Sequence, residues 1–79
     1  MSGPVIDITT CLDALSARLS DAAALAKAAV TCARAGSEPE AVRIALKLDG
    51  LLGEAQTLHG AVCLLGRMAR DRAEAAVAS

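Results

Sequence analysis

The stretch that decides the fold lies at the middle of the chain, at residues 35–40, and reads Ala35-Gly36-Ser37-Glu38-Pro39-Glu40. Gly36 suits the left-handed position just after a helix, because glycine has no Cβ to clash there. Ser37 is a favourable N-cap, and Glu40 three residues later completes the pattern of a capping box. Pro39 falls in a first turn, where a helix needs no N–H from it. The stretch predicts that one helix stops and another starts, with a turn at residues 36–37.

On both sides of this turn, apolar residues recur at alternating steps of three and four, the spacing of a coiled-coil seam. The first series is Val5, Ile8, Leu12, Leu15, Leu19, Ala22, Ala26, Ala29 and Ala33. The second is Ala41, Ile44, Leu48, Leu51, Ala55, Leu58, Val62, Leu65 and Ala69. A short connection makes consecutive helices antiparallel neighbours. We therefore predict an all-α fold with one domain over residues 1–79: a coiled-coil-like antiparallel two-helix hairpin, with helices at about 5–35 and 38–75.

Doubling the chain back at the turn places mostly large residues opposite small ones, as close packing of two helices requires. Leu19 would face Ala55, for example, and Ala26 would face Leu48. On one flank of the seam Arg18 would lie opposite Glu54, which predicts a surface ion pair.

Two details of the helices stay open at this stage. The first helix starts either with Pro4 as its first residue or after Thr10 as its N-cap, with Asp13 three residues on. Gly50, Gly53, Gly60 and Gly66 either break or kink the second helix, or, in the case of Gly53 and Gly60, allow another helix to come close. The heptad spacing runs through all four glycines without a slip, which argues against a loop at Gly50.

Size and composition point to a partner chain. The 79 residues have a hydrophobic content of 54% and no aromatic residue. A chain of this length has a thin core of its own. The apolar residues left outside the seam predict an exposed surface that another protein covers, either a second copy or a different helical protein. The predicted interface residues are Ala23, Val30, Val42, Ala45, Leu46, Leu52, Gly53, Gly60 and Leu64.

Charge and motif content argue against several other functions. The net charge of −1 lacks the basic excess typical of nucleic-acid binders, and the longest uncharged run, 12 residues from Ala55 to Gly66, is too short to span a bilayer. No secretory signal is visible, and Cys11, Cys32 and Cys63 lack the spacing of a metal or redox motif, which predicts a cytoplasmic protein. With His59 as the one histidine, we predict no enzyme activity, no catalytic or metal site and no cofactor.

The layout resembles the small helical-hairpin co-chaperones of type III secretion needle subunits. The similarity lies in Leu15-Ser16-Ala17-Arg18-Leu19, in Ala35-Gly36 with Pro39-Glu40, and in Leu52-Gly53-Glu54-Ala55 with Leu58 and Val62. That family usually has aromatic and glutamine residues after the turn, where this chain has Ala41-Val42-Arg43. The resemblance implies a cytosolic bacterial chaperone that pairs with a helical co-chaperone. An alternative function is a dimeric four-helix-bundle regulator that binds RNA, although the chain lacks the row of basic side chains that such regulators use. The short basic cluster Arg67, Arg70 and Arg72 is either a solvated helix end or a contact with RNA or an acidic partner.

Overall fold

The computed structural model describes residues 7–78, which form two long helices joined by a tight turn. Helix α1 covers Ile8–Arg34 and helix α2 covers Glu38–Ala78. The molecule measures 65 × 29 × 13 Å. Since a helix with its side chains is about 10–12 Å across, the shortest dimension is one helix thick. The predicted all-α two-helix hairpin is confirmed, and it is a single layer.

The turn closes α1 with a Schellman motif. Gly36 has a φ of 88°, the left-handed conformation predicted for it. Its N–H donates to the carbonyl of Ala33 at 3.0 Å, and the N–H of Ser37 donates to the carbonyl of Cys32 at 2.9 Å. These two bonds satisfy carbonyls that the end of a helix leaves without partners. The reversal of the chain is thus fixed by backbone bonds around one glycine.

The predicted capping box at the start of α2 is not formed as such. Its return bond needs the N–H of Ser37, which already donates to Cys32. The Glu40 carboxylate instead pairs with Arg43, Oε2 to Nη1, at 2.9 Å. Ser37 still precedes the first residue of α2, and its carbonyl accepts the N–H of Ala41 at 3.0 Å. The Schellman motif and the capping box both need the N–H of Ser37, and this N–H is used by the Schellman motif at the end of α1.

Helix α1 starts after Asp7, which differs from the predicted Thr10 cap. The Asp7 carboxylate accepts the backbone N–H of Thr10 at 2.7 Å, so Thr10 lies inside the helix that Asp7 caps. This hydrogen bond is the main reason that the pKa of Asp7 lies below its ordinary value. Pro4, the other predicted start, and Val5 lie outside the described residues.

The observed seam of α1 shares every second residue with the predicted one. At the other positions it uses the residue one place earlier in the chain. Leu12, Leu19, Ala26 and Ala33, which were assigned to the core, are exposed. The buried and half-buried residues are Ile8, Cys11, Ala14, Leu15, Arg18, Ala22, Leu25, Ala29 and Cys32. The correct series thus runs through Cys11, Arg18, Leu25 and Cys32. Arg18 fits because its stem covers apolar surface while its guanidinium reaches the edge of the seam.

The predicted seam of α2 holds from Ala41 to Leu65, all of whose members are buried or half-buried. Ala69 is exposed, a correction with a simple cause. Counted outward from the turn, Ile8 at the start of α1 lies level with Leu65, so Ala69 lies beyond that level. Helix α2 is continuous through all four glycines, which excludes the alternative of a break and agrees with the heptad spacing that argued against a loop at Gly50.

Only small side chains are buried among the described residues: Cys11, Ala22, Ala41 and Ala55, each at most 9% exposed. Small residues let the two helix backbones approach closely, but each contributes little buried area. The hairpin core is therefore narrow along its whole length.

Two glycine substitutions test the turn against the helix. We expect Gly36→Ala to destabilise the hairpin by about 1–2 kcal/mol, since an L-residue is strained at positive φ. Gly50→Ala is the matched control: a Cβ there meets nothing within 4 Å, and we expect about 1 kcal/mol of stabilisation from helix propensity. Thermal unfolding followed by circular dichroism measures both changes, and shifts of the same sign would contradict the structure.

A pair of leucines tests the seam of α1. We expect Leu25→Asp to remove most of the helix content, because the half-buried seam position gives the charge no partner. Leu19→Asp places the same charge at a side chain that is 50% exposed and should keep the helices. Circular dichroism at 222 nm distinguishes them. Helix loss in Leu19→Asp with none in Leu25→Asp would restore the seam predicted from sequence.

Asp7 makes the start of α1 dependent on pH. Its pKa is lowered in the folded chain, so the ionised cap adds stability above the ordinary pKa of 3.8, and this is lost as the pH falls through the lower folded value. Asp7→Ala should therefore lower the melting temperature at pH 7 and have less effect at pH 2. Asp7→Asn, which caps without titrating, is the control. A penalty for Asp7→Ala that is equal at both pH values would refute the role of the charge.

Candidate protein-interaction surface

The two flanks of the seam differ in chemistry. On one flank Arg18 Nε and Glu54 Oε2 are 2.7 Å apart, which confirms the predicted ion pair. Beside this pair runs an open groove of about 500 Å³, lined also by Ala14, Gly50 and Thr57. The groove lies open along its length, and within it the Thr57 hydroxyl donates to the backbone carbonyl of Gly53 at 3.1 Å. We refer to this side as the charged flank.

The other flank is apolar. Successive residues advance by roughly 100° around a helix, which places the residue after each α1 seam position Cys11, Arg18, Leu25 and Cys32 on the side away from Glu54. Together with their neighbours, and with the matching residues of α2, they form a largely apolar exposed surface that we call the apolar face. Ser16, Asp49 and Gln56 lie on the same side and interrupt it. Its members are Leu12, Leu19, Ala23, Ala26, Val30 and Ala33 of α1, and Val42, Ala45 and Leu52 of α2.

The structure exposes all nine predicted interface residues but does not bring them all together. Ala23, Val30, Val42, Ala45 and Leu52 lie on the apolar face. Leu46, Gly53 and Gly60 are seven residues apart and lie along the outer side of α2, where Gly53 lines the groove of the charged flank. Leu64 is 51% exposed, but it points about 120° around α2 from Leu52. It therefore belongs neither to the apolar face nor to the outer side of α2.

Leu12 and Leu19 are the residues of the apolar face that the sequence interpretation missed, because it used them for the core. They are 46% and 50% exposed. A signal for them was present: steps of three and four also connect Leu12, Ser16, Leu19, Ala23, Ala26, Val30 and Ala33. Helix α1 thus carries two heptad series side by side, and only one of them faces α2.

The outer glycines of α2 have no packing role inside the hairpin. A Cβ built at Gly53 or Gly60 meets no atom within 4 Å. Each glycine nevertheless costs helix stability relative to alanine. Their presence is therefore unexplained by contacts with α1.

Within residues 7–78, His59 and Cys63 are a pair of reactive side chains in contact, with His59 Nε2 and Cys63 Sγ 3.7 Å apart. Both are exposed on α2, one turn apart. An activated thiol also needs a group that orients the histidine and a cleft that holds a substrate. Among residues 7–78, no group of three or more metal-ligating side chains comes together. The described surface thus offers exposed apolar side chains and one histidine–cysteine contact, without a cleft that would hold a substrate.

Comparisons with known proteins leave the family open: no family model, no curated protein and no solved structure matches the chain. Within the part of the chain that the structure describes, neither helix has an apolar stretch of the length that a bilayer crossing requires.

Proposed function

We propose that this chain is a non-enzymatic protein-interaction module, and that helices of another chain cover its apolar face and complete a helical bundle. The observation that carries the proposal is the contrast between core and surface. Four small residues are buried, whereas nine large hydrophobic side chains of the described residues are exposed by 46% or more. Five of the nine, Leu12, Leu19, Val30, Val42 and Leu52, lie on the apolar face, and clustered exposed apolar surface is typical of an interface.

The single-layer architecture supports the same proposal. Stable domains bury the apolar side of each element against a second layer. Here each helix has one neighbour within the chain, and the molecule is 13 Å thick. A second pair of helices laid on the apolar face would supply the missing layer and would bury Leu12, Leu19 and Leu52.

The kind of module follows from what the surface offers. A small adaptor or co-chaperone, including one for type III secretion needle subunits, would use the apolar face to shield helices of its partner. We place this activity in the cytosol, since Cys11, Cys32 and Cys63 are all free thiols. The RNA-binding alternative gains no support, because the net charge is −1 and no row of cations follows the apolar face.

Two leucines of equal exposure test whether the apolar face is the contact surface. Leu52 on the face and Leu64 away from it are 50% and 51% exposed. A photo-crosslinking amino acid at position 52, in cells that express the chain naturally, should give a defined adduct, and the same group at position 64 should give little. Leu52→Asp should weaken the binding and retain the helix content. Equal labelling at both positions, or none at either, would contradict the proposal.

A further inference from the structure

We infer that the occupant of the apolar face is a second copy of this chain, turned end for end about a two-fold axis. The inference rests on the proposed function, because it names the chain that covers the face. A two-fold contact uses the same patch on both copies, so each residue must suit the residue that symmetry brings opposite it. The apolar face can be tested for this property along each helix separately.

The exposed heptad series of α1 suits its own reversed copy. In chain order the series is Thr9, Leu12, Ser16, Leu19, Ala23, Ala26, Val30 and Ala33. With the axis level with Asp21, Leu19 of one copy meets Ala23 of the other, and Ser16 meets Ala26. Large against small near the axis lets the two α1 backbones come close. Further out, Leu12 meets Val30 and supplies most of the buried area, and this register uses the whole series.

Charges at the rim of the same series also complement each other. Asp13 and Lys27 are both exposed and lie on the same side of α1, two turns on either side of Ser20. About the axis at Asp21 the level of Asp13 in the reversed copy falls two residues, about 3 Å, from Lys27, which a lysine side chain spans, and symmetry makes the pair twice. A net charge of −1 on each chain adds little repulsion between the copies. Opposite charges at a rim select partner and register more than they add affinity.

Helix α2 accommodates the same axis. Counted from the turn, Ala22 lies level with Leu51 in the hairpin, so an axis at Asp21 passes level with Leu52. About this axis Leu52 meets Leu52 of the other copy, and Ala45 meets His59. The exposed side of α2 therefore allows the register that α1 sets.

Charge reversal in the purified full chain tests the second copy and the register together. Asp13→Lys sets lysine against lysine at two places in each dimer, and we expect the dissociation constant to rise on the order of tenfold at low salt. Adding Lys27→Asp to the same chain should restore it, since the pairs reform with their signs exchanged. Leu52→Asp should abolish the dimer by setting two carboxylates together at the axis, and Leu64→Asp should leave it unchanged. Sedimentation equilibrium measures all four.

Three results would overturn the inference. Failure of Lys27→Asp to rescue Asp13→Lys refutes the register, and a dimer that survives Leu52→Asp refutes the position of the axis. A wild-type chain that remains monomeric at millimolar concentration refutes the second copy. In this last case a crosslink from position 52 to a different protein still upholds the proposed function, whereas the absence of any such adduct removes both.

Discussion

Close packing of two helices along a seam of small side chains is the interaction on which the rest of this structure depends. Of the residues that the structure describes, those buried are Cys11, Ala22, Ala41 and Ala55, and none has more than a short side chain. Such residues let backbones approach, yet they remove little apolar surface from water. The larger leucines and valines are left at the edges of the seam or outside it. The use of small side chains in the seam therefore gives both a narrow core and a wide exposed apolar surface.

The ends of the helices are held by polar contacts whose geometry is local. Gly36 in the left-handed conformation and two backbone bonds fix the turn, and the Asp7 carboxylate fixes the start of α1. The exposed Arg18–Glu54 pair joins the two helices but, as a surface ion pair, contributes about 0–1 kcal/mol. These contacts define the hairpin and its direction. They do not replace the buried area that a second helical layer would provide.

The functional proposals follow from the difference between the two flanks. The charged flank carries an ion pair beside a groove, whereas the apolar face carries leucine, valine and alanine from both helices. Exposure of the apolar face to water is unfavourable, whereas the charged flank is readily hydrated. The contact that we propose with another chain on the apolar side, with solvent on the charged side, fits the distribution of residues around the hairpin. The exposed series of α1, whose reversed copy sets Leu19 against Ala23 and Leu12 against Val30, is the basis for our inference that this neighbour is a copy of the chain.

The sequence by itself determined the two helices, the turn at Gly36, the seam of α2 as far as Leu65 and the Arg18–Glu54 pair, because each depends on local conformation or on one unambiguous heptad series. The seam of α1 was decided only by the tertiary structure. Two heptad series fit α1 equally well, and hydrophobicity alone favoured the series with Leu12 and Leu19. Packing against α2 selects instead the series with Cys11 and Arg18, because a small thiol fits between close backbones and an arginine can reach Glu54. That choice turns Leu12 and Leu19 outward, and no property of those residues alone could have shown it.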